Sequence, residues 1–348
     1  MEFGLFTEFQ CPSGMSEATA FDESMAQMLA AEDLGFDAVW LAELHFQKDR
    51  SVLSSPLIVA GAIAARTVRV KIGIAVQVLP LSHPLRLAED VATVDHLSKG
   101  RLEFGVGRSG LPGHYRGFNV PYSESRERFL ETLDILVKAW THDRFSHDGK
   151  YFQFHDVCIM PKPYQRPHPA IRIAATTQDT YPLVGRMGFP LFVAPRTISI
   201  SDLERFIGGY HEAWTAAGHP GHGDIAISLP VYVAEAERRA REEPEASTMS
   251  FFRALSRALQ TSEGSPAQTL EAGDGRAQRL GVISYDDVLA EHAIYGTPEA
   301  VADRLLALRE EIGFSTLSAW MNAGGQIPHE QVLDSMRLFA DRVIPRLT

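Results

Sequence analysis

Short apolar runs alternate along this chain with stretches whose apolar residues recur at helical spacing. Phe3-Gly4-Leu5-Phe6 reads as a first strand, Ala38 to Leu41 as a second, Val70 to Val78 as a third and Leu102 to Val106 as a fourth. Ile171 to Ala175, Pro190 to Val193, Ile225 to Val233 and Ser315 to Met321 supply four more. Between them, Phe21 to Leu34 predicts a helix stopped by Gly35. Pro56 to Ala65, Pro84 to Leu97 and Ser125 to Trp140 predict others, the third with Phe129, Leu133, Leu136 and Val137 on one face, and a last helix runs from His329 to about Ile344. Strands regularly separated by helices pair in parallel through right-handed crossovers. About eight of them fit an α/β fold of the (β/α)8 TIM-barrel type better than an open doubly wound sheet. The glycine fingerprint of dinucleotide binding is missing after the first strand, where Gly4 stands alone.

Two stretches interrupt the alternation. Phe145 to Val157 predicts a small polar hairpin before the fifth strand. Glu242 to Gly281 is long, polar and loaded with Gly, Ser, Glu and Gln, and predicts a mobile loop or lid. With no internal repeat and no low-complexity linker, residues 1–348 are expected to form one barrel domain carrying those two insertions.

Composition narrows the function classes. The net charge of -11 is spread with both signs interspersed, which disfavours nucleic-acid binding. Cys11 and Cys158 are the two cysteines and lie far apart, so neither a disulfide framework nor a CxxC metal site follows. The opening MEFGLFTEF has no basic region followed by a long apolar one, and no stretch reaches membrane-helix length, so a soluble cytoplasmic protein is expected.

In a barrel of this kind the chemistry sits at the C-terminal ends of the strands. The second strand ends at Glu43 and His45, and the third leads to His83. The fourth leads to Arg108 in GVGRSG, the fifth to Thr176, Thr177 and Thr180, and the eighth to Trp320, Asn322 and Gly324-Gly325. Each has an ordinary structural alternative. His45 could be structural, His83 could cap the helix begun by Pro84, and Arg108 could belong to a surface ion pair. The threonines could form a helix N-cap, with Thr177 or Asp179 capping. Taken together, Arg108 and the threonines suit a phosphate: the glycine-rich loop exposes backbone amides, the helix start favours an anion, and the guanidinium clamps it. Glu43, His45 and His83 could in principle hold a metal, but the ligand set usual at a first strand is absent, and no metal is expected. The nucleophile pattern of serine hydrolases is missing too.

The ordered segments MEFGLF, LGFDAVWLAELHF, IGIAVQVLPLSHPLRLAEDVATVDHLSKGRLEFGVGRSG, SRERF, YGTPEAVADRL and SMRLFADRVIPRL resemble the bacterial luciferase-like flavin monooxygenases, most of all the luciferase α-subunit branch. The resemblance covers nearly the whole chain. It implies a (β/α)8 barrel that binds reduced FMN, takes O2, forms a flavin C4a-hydroperoxide and oxidises a small organic substrate, with a separate flavin reductase supplying FMNH2. It implies that Arg108, Arg126 and the segment with Thr177 and Thr180 hold the FMN phosphate. It places a non-prolyl cis peptide at Ala75-Val76 beside the flavin ring, makes Glu43, His45 and His83 pocket residues, and matches Glu242 to Gly281 to the mobile loop.

Three departures separate the chain from light-emitting relatives. Leu44 stands where luciferases carry a basic histidine, Gly107 where they carry a reactive cysteine, and Ala194-Pro195-Arg196 where they have a tryptophan region. Flavin binding is untouched, but a luciferase is not expected, and acid–base work must shift to His45, His83 or the substrate. Two other readings stay open: a deazaflavin F420-dependent oxidoreductase of the same superfamily, and a non-catalytic flavin-binding protein. The nearly all-apolar Pro56 to Ala65 suggests a homodimer interface through Ile58 or Ile63, or else a helix packed on both faces within its own chain.

Overall fold

The structure is a computed structural model that describes residues 1–260 and 276–348. Eleven strands are present among them: β1 (Glu2–Thr7), β2 (Ala38–Leu41), β3 (Lys71–Val78), β4 (Leu102–Gly107), β5 (Phe145–Asp148), β6 (Gln153–Val157), β7 (Ala170–Ala175), β8 (Leu191–Val193), β9 (Ile225–Val233), β10 (Ile294–Gly296) and β11 (Thr316–Trp320). Eight of these pair in parallel in the order β1-β2-β3-β4-β7-β8-β9-β11, and β11 returns to β1, so the sheet closes on itself. Helices separate the strands, which makes this a (β/α)8 TIM barrel, as the alternation predicts. β5 and β6 form the antiparallel hairpin expected at Phe145 to Val157. The short β10 was not legible; it adds to the end of β9, outside the ring.

The strands read as continuous apolar runs because both of their faces are covered; all nine residues of β9 are buried. One face packs on the helices through residues such as Leu5, Val39, Ile72, Phe104 and Ile173. The other fills the barrel with Phe6, Ala38, Trp40, Ala75, Phe192, Ala226 and Trp320. Trp40 and Trp320 are the largest plugs, and two glycines make room for Trp40. A Cβ on Gly4 of β1 or Gly73 of β3 would overlap its ring. Gly4 faces Ala38 across the β1–β2 ladder, and Gly73 faces Trp40 across the β2–β3 ladder.

Below this floor, at the N-terminal end, an ion network closes the barrel. Lys71 lies 2.6 Å from Glu2 and 3.1 Å from Glu103. Arg172 lies 3.1 Å from Glu103 and 2.6 Å from Asp224.

Two expectations need correction. Much of Glu242 to Gly281 is helix, over Glu245–Gln260 and again from Arg276, while 261–275 lies outside the described residues. The first of these helices is amphipathic: Phe251, Phe252 and Leu255 are buried against the barrel contents, with Arg253 and Arg257 carrying the charge. Averaging polarity over forty residues hid that face. It docks at its start on the turn after β11, where Gln326 donates to Ser247 at 2.9 Å and a Cβ on Gly324 would strike the Ser247 carbonyl. The second correction concerns the helix Pro56–Ala64. Ile63 is fully buried within its own chain, whereas Ile58 is 76% exposed, so only Ile58 is on an outer face.

Candidate functional site

The mouth of the barrel opens into a cavity of about 300 Å3, within the range of small-molecule sites. Of the residues singled out from the sequence, Glu43, Ala75, Val76, Arg108, Thr176, Thr177 and Thr180 line it. Among the described lining residues there is no histidine.

Glu43, at the end of β2, is buried and fully engaged. One carboxylate oxygen lies 2.6 Å from His45 Nε2; the other accepts from Gln77 Nε2 at 2.6 Å and the Val78 amide at 2.7 Å. The two donors from β3 tie the end of β2 to the end of β3. His45 stands behind Glu43, outside the cavity lining, with its ring 4.8 Å from that of Phe118. Leu44 turns into the cavity between them. His83 does not join the site, contrary to expectation. It precedes the helix Pro84–Ser98 without capping it through its side chain, and its ring sits 5.7 Å from Phe152 and from Phe154 of the hairpin region. The grouping of Glu43, His45 and His83 on a metal is therefore not assembled, and no cluster of three metal-type ligands is found among the described residues.

The Ala75–Val76 peptide is cis, on the cavity wall. The β3–β4 register shifts between Ile74 and Gln77, around that peptide. Gly107, opposite, is needed for space, because a Cβ there would come within 2.6 Å of Val76 Cγ2.

The end nearest β4 and β7 gathers Arg108 and three threonines, a set of donors that could hold an anion. Arg108 Nη1 donates to Ser125 Oγ at 3.2 Å, and the Tyr115 hydroxyl donates to the Arg108 carbonyl, which fixes the backbone of that residue. Thr177 Oγ1 donates to Asp179 at 2.7 Å and lies 2.8 Å from Thr180 Oγ1, at the start of the helix Thr180–Met187. Asp179 does not cap that helix with its side chain. It pairs instead with Arg126 at 2.9 Å. Burial pushes the Asp179 carboxyl up, but Thr177 and Arg126 outweigh it, so it is held below the ordinary carboxylate value. Arg126 is exposed and stands beside the cavity rather than in its lining.

The opposite side of the mouth holds a group that the sequence reading passed over. Glu8, just after β1, accepts two hydrogen bonds from Arg50, at 3.0 and 2.8 Å. Arg196, after β8, reaches the same carboxylate at 3.4 Å. Its guanidinium lies over Trp320 at 4.6 Å and Phe6 at 5.0 Å. Burial pushes the Glu8 carboxyl up, but Arg50 and Arg196 more than offset this and keep it ionised. Burial also pushes Arg196 down, to about 10; Glu8 opposes this and Arg50 adds to it. In the sequence Arg196 stands out only as a departure from light-emitting relatives, and no local pattern marks Glu8.

Near the rim, His114 is buried and accepts a hydrogen bond at Nε2 from the His45 amide at 3.4 Å, while Nδ1 lies 3.3 Å from Ser109 Oγ. Burial, with the nearby His45 and Arg50 charges, pushes its pKa down to about 4, so it stays neutral at pH 7.

Residues 1–316 match the luciferase-like monooxygenase family model. The oxygenase component of a flavin-dependent trigonelline monooxygenase from Acinetobacter baylyi is 25% identical over 99% of this chain and 95% of its own. The monooxygenase RslO1 from Streptomyces bottropensis superposes with a TM-score of 0.83 at 28% identity, covering all of both chains. The oxygenating constituent of 3,6-diketocamphane monooxygenase from Pseudomonas putida, solved with FMN, gives 0.83 at 21% identity over 100% and 99%. With the family match running over most of its length and a cavity at the mouth of its barrel, the chain belongs to the luciferase-like monooxygenase family.

Proposed function

We propose that the cavity takes reduced FMN, delivered by a separate flavin reductase, and that the protein is the oxygenase half of a two-component monooxygenase acting on a small organic substrate. The carrying observation is that the cradle of Arg108, Thr176, Thr177 and Thr180 and the Ala75–Val76 wall face one and the same cavity. The residues fit the cofactor: the cradle suits a phosphate, and the space kept by Gly107 suits a flat ring against Val76. Reduced flavin, when bound, supplies the electrons that activate O2. The chain's own part is to hold and to dry. Arg108 and the threonines would grip the phosphate, with Arg126 joining only by exchanging Asp179 for it. Leu44, Leu111, Leu255 and Leu259 keep water out of the cavity.

Glu43 and His45 act in this reading as positioning residues, because the carboxylate is already saturated and the imidazole sits behind it. Leu44 cannot move a proton, so light emission is not the expected outcome. The trigonelline enzyme's standing as an oxygenase component supports the reductase partner.

Parallel fluorescence titrations with FMN and with F420 test the cofactor. FMN binding, followed by substrate-dependent oxygen uptake with FMNH2, supports the reading; binding of F420 in place of FMN overturns it. A homodimer is proposed through the face around Ile58, beside the half-exposed Leu97 on the next helix. Ile58→Glu should give monomers by size-exclusion chromatography, and an unchanged dimer removes that face. Among the described residues no helix is long and apolar enough to cross a membrane, and a cytoplasmic setting is proposed with the reductase.

A further inference from the structure

The Glu8, Arg50 and Arg196 group has two guanidiniums for one carboxylate among the described residues, and all three line the cavity. Arg50 satisfies Glu8 with a two-pronged, charge-assisted pair. Arg196 adds only one contact at 3.4 Å, and its buried Nε has no hydrogen-bond partner among the described residues. The group therefore carries a surplus positive charge at the wall of a largely apolar chamber, where an unmatched charge is costly unless a ligand matches it. Aromatic faces from Phe6, Trp320 and Phe251 hold the guanidinium flat.

Its position separates it from the phosphate cradle. The cradle belongs to the ends of β4 and β7; Arg196 springs from the loop after β8, next to β7, but its guanidinium reaches over Phe6 of β1 and Trp320 of β11 to Glu8, which follows β1. In the closed ring, β1 and β11 are diametrically opposite β4 and β7. An anion at the cradle is matched by Arg108 and the threonines, which leaves Arg196, turned towards β1 and β11, to a second anionic group.

We propose that Arg196, backed by the Glu8–Arg50 pair, is the substrate-recognition residue of this pocket, and that the substrate carries a carboxylate on an otherwise apolar body. The forked guanidinium matches a carboxylate's two oxygens, and Ala42, Ala75, Ala194 and Leu255 offer the body only hydrocarbon. The proposal rests on the flavin-monooxygenase reading of the same cavity, so the test separates the two.

The full-length protein is titrated calorimetrically with benzoate and with benzamide, which share a shape and differ in charge, with and without FMN. Wild type is expected to bind benzoate at least about tenfold more tightly than benzamide, the size of one charge-assisted contact. Arg196→Met should abolish that preference by weakening benzoate alone, and Arg196→Lys should retain part of it. Equal binding of the two probes by wild type overturns the proposal, as does an equal loss of both in Arg196→Met. If Arg196→Met does not fold, as judged by circular dichroism, wild type and Arg196→Lys decide on the same criterion. FMN affinity is read separately by fluorescence. A loss of about tenfold or more in FMN affinity in Arg196→Met would assign the guanidinium to the flavin and overturn the proposal. A wild type that prefers benzoate but does not bind FMN would overturn the flavin reading and leave the anion site standing.

Discussion

Charged side chains occupy both ends of the barrel interior, and the two groups are built on opposite ratios. At the N-terminal end three carboxylates, Glu2, Glu103 and Asp224, hold two cations, Lys71 and Arg172. At the mouth one carboxylate, Glu8, holds two guanidiniums, Arg50 and Arg196. A missing hydrogen bond does not distinguish them, since Arg172 Nη1 lacks a partner just as Arg196 Nε does. The charge balance does. Burial pushes Arg172 down, yet Glu103 and Asp224 more than reverse it and hold its pKa above the usual value. Arg196 is pushed down by burial too, shares its one carboxylate with Arg50, and falls to about 10. One network is satisfied within the chain and seals the barrel; the other is left with a positive charge facing a cavity. The difference locates function at the mouth and stability at the base, the division that TIM barrels follow generally.

The contrast can be broken most forcefully at the base. Arg172→Met leaves Asp224 without its guanidinium and Glu103 with Lys71 alone, and should cost about 3 kcal/mol in denaturant unfolding, while the surviving folded protein keeps its flavin affinity. Equal damage to flavin binding would mean that the two ends are not independent.

A smaller effect is expected from pH at the rim. His114, facing His45 and Arg50, takes up its proton only near pH 4 in the fold, against 6.5 when unfolded. Between those values the unfolded chain binds more protons, so stability should fall as pH drops from 6.5 towards 4, by at most about 3 kcal/mol. His114→Gln should flatten that slope in denaturant midpoints measured across the window; an unchanged slope would show that His114 is protonated in the fold.

Arg108→Met addresses the cradle. Loss of one charge-assisted hydrogen bond to phosphate should weaken FMN by about 10- to 100-fold in a fluorescence titration, roughly 1.5–3 kcal/mol, with stability little changed. Riboflavin, which lacks the phosphate, should bind variant and wild type alike, and a matching loss for riboflavin would move the phosphate elsewhere.

The smallest change in stability is expected for Arg196→Met. It removes the surplus charge and leaves Glu8–Arg50 as a matched pair, so the unfolding free energy should stay within about 1 kcal/mol of wild type. A cost comparable to that of Arg172→Met would make the mouth cluster a structural network after all.

That Arg108 and the threonines line the mouth was legible along the chain because each group is local: a glycine-rich loop ending one strand, and threonines between a strand and the next helix. The ends of β2 and β9 were likewise readable, since a strand covered on both faces has to be apolar throughout. The helix Glu245–Gln260 was lost because its buried face mixes Ser247, Thr248 and Ser256 with Phe251, Phe252 and Leu255, and its flanks are polar. His83 and Ile63 were misplaced because spacing gives an element but not the partner each face meets.

The order of strands and helices, the closed parallel barrel and the placing of Arg108 and the threonines at strand ends were therefore determined by the sequence itself, through patterns that act within a few residues. Only the tertiary structure decided that Glu8, Arg50 and Arg196 share one carboxylate, because the contacts span 42 and 188 positions. Charges attract at that range only after the closed ring has brought the strand ends together, and nothing in a local pattern records a meeting that the barrel makes.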